Sequence, residues 1–335
     1  MTGINNIADW RVTMDGTDLT DRLRPRLISL SLSEKRGDEA DELDIALQDS
    51  DGRLAIPKEG ALLRVQLGWR QGRDVTVGLF DKGSFKVDDV THSGPPDVIR
   101  IRARAADFTS EIRNRREQSW HDSTLGAVLQ DVAGRNGLMP RIADDLAGIA
   151  LPSVSQSRES DIAFLRRLGR ENDAVATVKD GHLIFARKGA GMSATGKPLP
   201  RLTLRRHAGD GHSWQRQKRD GQEGVTASWH DKGAAKRKTT TAGKQDGAKK
   251  LRKIYPDEDS ANRAAHAEND RLKRAPATLD MKLALGRPDA YPEARVTVTG
   301  FKPEIDAATW LITEVTHRLD KGGGFGTDLK MEMAP

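Results

Sequence analysis

Three features of the sequence bring side chains of catalytic or metal-binding type close together. The tetrapeptide Ser-Trp-His-Asp occurs twice, at 119–122 and 228–231. Hydroxyl, imidazole and carboxylate are the groups of a nucleophilic triad, but a triad converges from separated backbone positions, which four adjacent residues do not allow. A metal shared through His121 and His230, with Asp122 and Asp231 as further ligands, is the alternative; no helical histidine pair or further carboxylate cluster supports it. A buried tryptophan beside a capping or turn aspartate accounts better for both copies. Asp49-x-Asp51-Gly52 matches the start of a calcium loop, yet the later oxygens and closing glutamate are missing, which leaves a hairpin turn. Gly243–Lys250 carries glycine and lysine at the wrong spacing for a phosphate cradle, and His207 and His212 sit in polar loops. None of the G-x-S-x-G, H-E-x-x-H, Walker or G-x-G-x-x-G patterns is present. The expectation is a protein that is not an enzyme, with no catalytic residue, no cofactor and no metal.

Composition points the same way. The 335 residues suffice for two or three domains, but only 36% are hydrophobic and 31% are charged, so much of the chain is solvated surface or polar interface. Aromatics are 4% against 32 glycines, a balance that suits short strands and tight turns. The absence of cysteine excludes disulfides and thiolate chemistry. No run of about 18 apolar residues occurs and the N-terminus lacks the pattern of a signal peptide, so synthesis in the cytoplasm is expected. The net charge of +6 comes from 55 basic residues interspersed with 49 acidic ones, a weaker concentration than nucleic-acid binders show.

Strand signals dominate both ends. Ile28, Leu30 and Leu32, then Leu43, Ile45 and Leu47, then Leu63, Val65, Leu67 and Trp69 alternate with polar residues, the period of half-buried strands. Further strands carry Phe85 and Val87, then Ile99, Ile101 and Ala103, so residues 1–108 read as a small β-barrel or sandwich. Residues 109–190 read as an α+β module. Leu125, Val128, Leu129 and Val132 follow the N-cap oxygens of Asp122-Ser123-Thr124 at helical spacing, with Gly137 at a left-handed C-cap. A second helix starts near Ser157, and a hairpin turns at Asp180-Gly181. Residues 191–199 form a linker. Strands return over 200–335, interrupted by a helix at 257–274 whose first turn is acidic. Residues 231–253 are basic and poor in apolar side chains, which predicts an exposed hairpin or loop. The fold class expected is mainly β, two small antiparallel barrels flanking an α+β module.

Longer stretches carry a family resemblance. DELDIALQDSDGRLAIPKEGALLRVQLGW, FKVDDVTHSGPPDVIRIRARAADF and SWHDSTLGAVLQDVAGRNGL resemble the phage late control protein D family, the tail hub proteins of contractile phages. ESDIAFLRRLGRENDAVATVKDGHLIFARKGAG, KKLRKIYPDEDSANRAAHAENDRL and VTVTGFKPEIDAATWLITEVTHRLDKGGGFGTDLKMEM continue it in family order, with the linker and residues 231–248 matching least. The family is similar to the N-terminal hub half of VgrG proteins. The resemblance implies a homotrimer of paired barrels forming a pseudo-six-fold ring in the virion tail baseplate. Such a ring adapts the hexameric tail tube protein to a trimeric tail spike protein, beside other baseplate proteins and the tape measure protein. It implies no family catalytic residues.

Two rivals stay open against that reading. One is a hub of a related injection system with hydrolase activity, which needs two poised carboxylates in a cleft. The other is a nucleic-acid-binding barrel using Lys236–Lys238 and Lys249–Lys253, although no stacking aromatic is interleaved there. Candidate interface residues are Lys236, Arg237 and Lys238 on the basic stretch, together with Trp69 and Trp310, since tryptophan is enriched at interface hot spots.

Overall fold

The computed structural model describes residues 5–37, 40–105, 111–179, 181–189, 191, 197–216, 224–231, 233–274, 277–321 and 324–334. The opening strands are β1 (Ile7–Met14), β2 (Thr17–Asp18), β3 (Leu27–Lys35), β4 (Glu42–Gln48), β5 (Leu62–Gln71), β6 (Gly78–Ser93) and β7 (Val98–Ala105), with the helical turn α1 (Thr20–Leu23) after β2. Their alternating side chains do what period two requires. Leu30 and Leu32, Leu43, Ile45 and Leu47, and Leu63, Val65 and Leu67 all face one core. Asp49 and Gly52 make the turn after β4, with Gly52 at φ +61°.

The chain then builds β8 (Arg115–Thr124), α2 (Leu125–Arg135), β9 (Met139–Ile142), α3 (Asp144–Ala147), β10 (Ala150–Ser160), α4 (Asp161–Glu171), β11 (Ala174–Lys179) and β12 (His182–Arg187). Thr124 Oγ1 caps α2 by accepting from Ala127 N at 3.2 Å, and Ser160 Oγ caps α4 by accepting from Ala163 N at 3.3 Å. The second helix therefore starts a few residues beyond the expected Ser157. Gly137 takes the left-handed conformation beyond α2, φ +66°, as its position predicts. β11 and β12 pair up to Lys179↔His182 around the expected hairpin turn, of which Asp180 lies outside the described residues.

The remaining elements are β13 (Arg201–Arg205), β14 (Gly209–Arg216), β15 (Gly224–Asp231), β16 (Lys236–Gly243), β17 (Lys249–Tyr255), α5 (Glu258–Arg274), β18 (Ala277–Leu283), β19 (Arg295–Thr299), the short α6 (Pro303–Asp306), β20 (Thr309–Asp320) and β21 (Gly324–Met333). Asp257 Oδ1 accepts from Ser260 N at 2.8 Å and caps α5, whose first turn holds Glu258 and Asp259.

The domain division differs from the sequence expectation of 1–108, 109–190 and 200–335. One unit comprises Met1–Asp107, Pro200–Ser213 and Leu279–Met331; the other comprises Phe108–Leu199, Trp214–Thr278 and Glu332–Pro335. The stretch assigned as linker, 191–199, is described only at 191 and 197–199. In the first unit the two β-rich sections share one 13-stranded sheet of order β14-β18-β21-β20-β3-β4-β7-β6-β5-β1-β2, with β19 on β20 and β13 on β19. The join is β3, which pairs antiparallel with β4 on one side and with β20 on the other, from Glu314↔Lys35 to Asp320↔Ser29. Two separately closed barrels are therefore not what the pairings show. β20 is long enough to hold β19 with its first residues and β3 with its last, so the sections hydrogen-bond to each other. Among the described residues no pairing links β14 to β2.

In the second unit α2 and α4 pack Val128, Leu129, Phe164 and Leu165 against Ala176, Leu183 and Phe185. A three-stranded sheet, β16-β15-β17, carries α5 on one face through Val225, Ala227, Ala242, Tyr255, Ala261, Ala264 and Ala265.

Candidate functional site

The two tryptophans named as interface candidates belong to the core of the first unit. Trp310 is fully buried and donates its indole N–H to Ile305 O at 3.1 Å; Trp69 is 4% exposed and donates to Gly286 O at 2.9 Å. A ring already enclosed and hydrogen-bonded within its own chain offers nothing to a neighbour, so both are removed as contact residues.

Lys236, Arg237 and Lys238 lie exposed on β16, an edge strand of the three-stranded sheet. Of the two expected alternatives, hairpin or loop, β16 takes the first, turning back antiparallel on β15 from Asp231↔Lys236, while β17 pairs with the other side of β15, which supplies Val225 and Ala227 towards the helix. Residues 224–255 contain nine Lys and Arg against two Asp, leaving 46 basic against 47 acidic residues elsewhere. The positive excess of the whole chain is concentrated here, contrary to the interspersion that composition suggested.

The two faces of this sheet treat their cations differently. On the helix side Lys238 pairs with Asp231 at 2.6 Å, Lys249 with Glu268 at 2.5 Å, and Lys253 with Glu171 of α4 at 2.5 Å. Alternation puts Arg237, Lys250 and Arg252 on the opposite face, with Thr226, Ser228, His230, Thr239 and Thr241. Arg237 Nη2 donates to Ser228 Oγ at 3.0 Å and Thr226 and Thr241 hydroxyls meet at 3.0 Å. Among the described residues none of the three cations has a carboxylate partner. This face leads into a cleft of about 640 Å3, lined by His230 and Ile254, by Leu151 and Val154 of β10, and by Arg167 and Arg263.

In both Ser-Trp-His-Asp copies the described contacts are those of packing and turns. Trp120 stacks on Phe164 at 5.2 Å and donates to Asp131 Oδ2 at 2.9 Å, while Asp231 turns back to accept from the N–H groups of Gly233 and Ala234. Asp51 accepts two 2.6 Å hydrogen bonds from Arg26, which hold its carboxyl at about 2, so the calcium-like turn is already neutralised by a cation. Against the burial that raises it, hydrogen bonds from Arg271 and Lys249 hold Glu268 at about 2. A carboxyl kept this low is the opposite of a general acid. Among the described residues no three His, Asp or Glu side chains gather as a metal site.

The sequence reading missed one cluster. Glu34, Lys82 and His317 are buried in the first unit. Lys82 Nζ donates to Glu34 Oε2 at 2.8 Å and to Ala290 O at 3.2 Å, and lies 4.0 Å above the Tyr291 ring. His317 Nε2 lies 3.4 Å from the same Glu34 oxygen, and Nδ1 meets Thr327 Oγ1 at 2.9 Å. Burial, reinforced by the Lys82 charge, pushes His317 down to about 4, so its ring is neutral. A lone pair aimed at a carboxylate would be repelled, so Nε2 carries the proton and Nδ1 accepts from the Thr327 hydroxyl. The signal was present: Glu34 is in phase with Leu30 and Leu32, and His317 with Val315 and Leu319, charged or polar side chains on an inward face.

Comparison with known proteins places the arrangement. The family model described as phage tail baseplate hub (GPD) matches residues 43–323. The chain belongs to the phage tail baseplate hub family. Probable baseplate hub proteins of Escherichia phages 186 and P2 are 40% and 39% identical to it, over 97% of this chain and 92% and 93% of their own. The hub fold is shared with a tail protein of Neisseria meningitidis (TM-score 0.70, 12% identity, covering 97% of this chain and 96% of that one). It is also shared with an Escherichia coli component of the type VI secretion system (TM-score 0.57, 14% identity, covering 96% and 76%). In this chain the first unit presents a surface rich in ion pairs. The outer face of its large sheet is laced by cross-strand ion pairs in both sections, Arg102 with Asp44 and Arg104 with Asp88 on one side, Arg318 with Asp328 and Lys330 with Glu314 on the other.

Proposed function

We propose that the chain is a non-enzymatic structural hub of a contractile tail that assembles as a homotrimer and adapts a six-fold tail tube to a three-fold spike. The observation that carries this reading is the single sheet of the first unit. One chain contributes two β sections, β1–β7 and β13–β21 without β15–β17, side by side through the β3–β20 pairing. Two comparable sections per chain make six in a ring of three, which is the simplest way to meet a hexameric partner on one side and a trimeric one on the other. A ring interface then has to leave the sheet edges protected. At β1 they already are: Thr20 Oγ1 accepts from Val12 N at 3.0 Å, Asp9 Oδ1 from Trp10 N at 3.0 Å, and Arg24 donates to Trp10 O at 3.3 Å. Contacts between subunits are therefore expected through side chains along this edge rather than by adding a strand to it.

Native mass spectrometry of the purified hub, alone and with its spike protein, tests the stoichiometry. Three hub chains with three spike chains is the expected complex. A monomer in both samples, or six copies of this chain in the particle, overturns the reading.

A further inference from the structure

We propose that the open face of the β16-β15-β17 sheet is a docking surface for an acidic extended segment of another tail protein, with one apolar side chain of that segment seated in the adjoining cleft. The inference rests on the hub reading only for its choice of tail partners.

The concentration of charge in 224–255 would be a solvated basic surface if its cations were all alike. They are not. Lys238, Lys249 and Lys253 are paired with carboxylates of this chain, whereas Arg237, Lys250 and Arg252 stand together on the other face among hydroxyls and, among the described residues, without a carboxylate partner. Like charges grouped on one face repel one another, and that repulsion is relieved when an anionic partner arrives. The threonine and serine hydroxyls between them add donors that suit carboxylates.

Two observations favour protein over nucleic acid. The large aromatics of this sheet are on the helix side: Tyr255 is buried in the α5 core and Trp229 packs against it, which leaves the open face the His230 imidazole but no run of rings on which successive bases would stack. Ile254 is 51% exposed where the face meets the cleft, beside Leu151 and Val154, and the cleft's Arg167 and Lys253 are already paired with Glu159 and Glu171, so this spot suits an apolar side chain better than a phosphate. β10 and β17 are both terminal strands of their sheets, so an extended segment entering the cleft lies along strand edges, although the Ala150 and Ser155 carbonyls of β10 already accept from Arg263 and Arg167.

The test uses the full chain and a fluorescein-labelled twelve-residue peptide that alternates glutamate with serine and carries one central leucine, with fluorescence anisotropy as the readout. The expected result is binding at 0.15 M salt that weakens as salt rises. The triple variant Arg237→Ser, Lys250→Thr, Arg252→Ser should lose about tenfold or more in affinity, from three charge contacts each lost. Ile254→Ser should lose a further few-fold. All four residues are exposed, so folding is retained. The control variant Lys238→Gln, Lys249→Gln, Lys253→Gln removes the same net charge from the helix side and should retain most of the binding. Equal loss in both triples, or no binding by the wild type, overturns the proposal. So does tighter binding of a twelve-nucleotide thymidine strand or a twelve-base-pair duplex, which assigns the face to nucleic acid. A changed copy number of the open-face triple in native mass spectrometry overturns it in favour of a second copy of this chain. Failure of peptide binding leaves the trimer measurement untouched, so the two readings fail separately.

Discussion

Replacing Lys82 with methionine is expected to destabilise the first unit by about 3–5 kcal/mol at neutral pH, the usual cost of leaving one partner of a buried ion pair alone. Methionine fills much of the same volume, so the loss is not a cavity effect. Glu34 is fully enclosed, its oxygen held by Lys82 Nζ at 2.8 Å, and without that ammonium a carboxylate remains in the core beside the neutral His317. Replacing Glu34 as well, with leucine, removes the stranded charge; the double variant should recover to within about 1 kcal/mol of the wild type. Hydrogen exchange of peptides from β3 and β20 under increasing urea reads the unit directly, with peptides from α4 and β11 as an internal reference. If the double variant is as unstable as the single one, Lys82 acts through packing and the electrostatic account is wrong. In the single variant His317 is also released from the Lys82 charge that helps hold it low. It should then take up a proton beside Glu34 as pH falls, so the cost of the substitution shrinks in mild acid.

Much of the β architecture was readable because burial on one face of a strand imposes period two. Leu63, Val65, Leu67 and Trp69 announce β5, and the same pattern should have placed Trp69 inside rather than at a subunit contact. What period two cannot supply is the neighbour. Leu30 and Leu32 say which face of β3 is buried but not that the strand beside it is β20, nearly 300 residues later. That pairing unites the two β-rich sections and sends 214–278 to the other unit. The basic stretch stayed open between hairpin and loop for a different reason. β16 and β17 flank β15, whose Val225 and Ala227 fill the helix-facing positions, so the outer strands need only Ala242, Leu251 and Tyr255 to be held. Composition read over such strands shows little but their solvent side. The candidate site was legible as charge along the chain; that the cations divide into a paired face and an unpaired one depends on the register Trp229↔Lys238 and Thr226↔Lys250, which no composition encodes.

Acidification from pH 6.5 to 4.5 is expected to lower the stability of the first unit by about 2 kcal/mol through His317 alone. The unfolded chain binds a proton at this histidine near 6.5, while burial and the Lys82 charge hold the folded group at about 4. Between those values the unfolded state carries the extra proton, so stability is present above 6.5 and is lost as pH falls towards 4. The carboxylates held low by their cations act elsewhere. Asp51 and Glu268, both at about 2, lose their contribution only below the ordinary carboxylate range. The window from 4.5 to 6.5 therefore isolates the imidazole among the groups whose shifts are resolved. His317→Asn keeps a polar atom for the Thr327 hydroxyl but cannot titrate, and its stability should be flat across the window while the wild type declines. Urea unfolding at pH 6.5, 5.5 and 4.5, followed by hydrogen exchange in the peptide spanning β20, gives both slopes. A variant that declines as steeply as the wild type would show that the acid sensitivity resides in another group. A wild type with no decline would mean that His317 is not shielded as the cluster geometry requires.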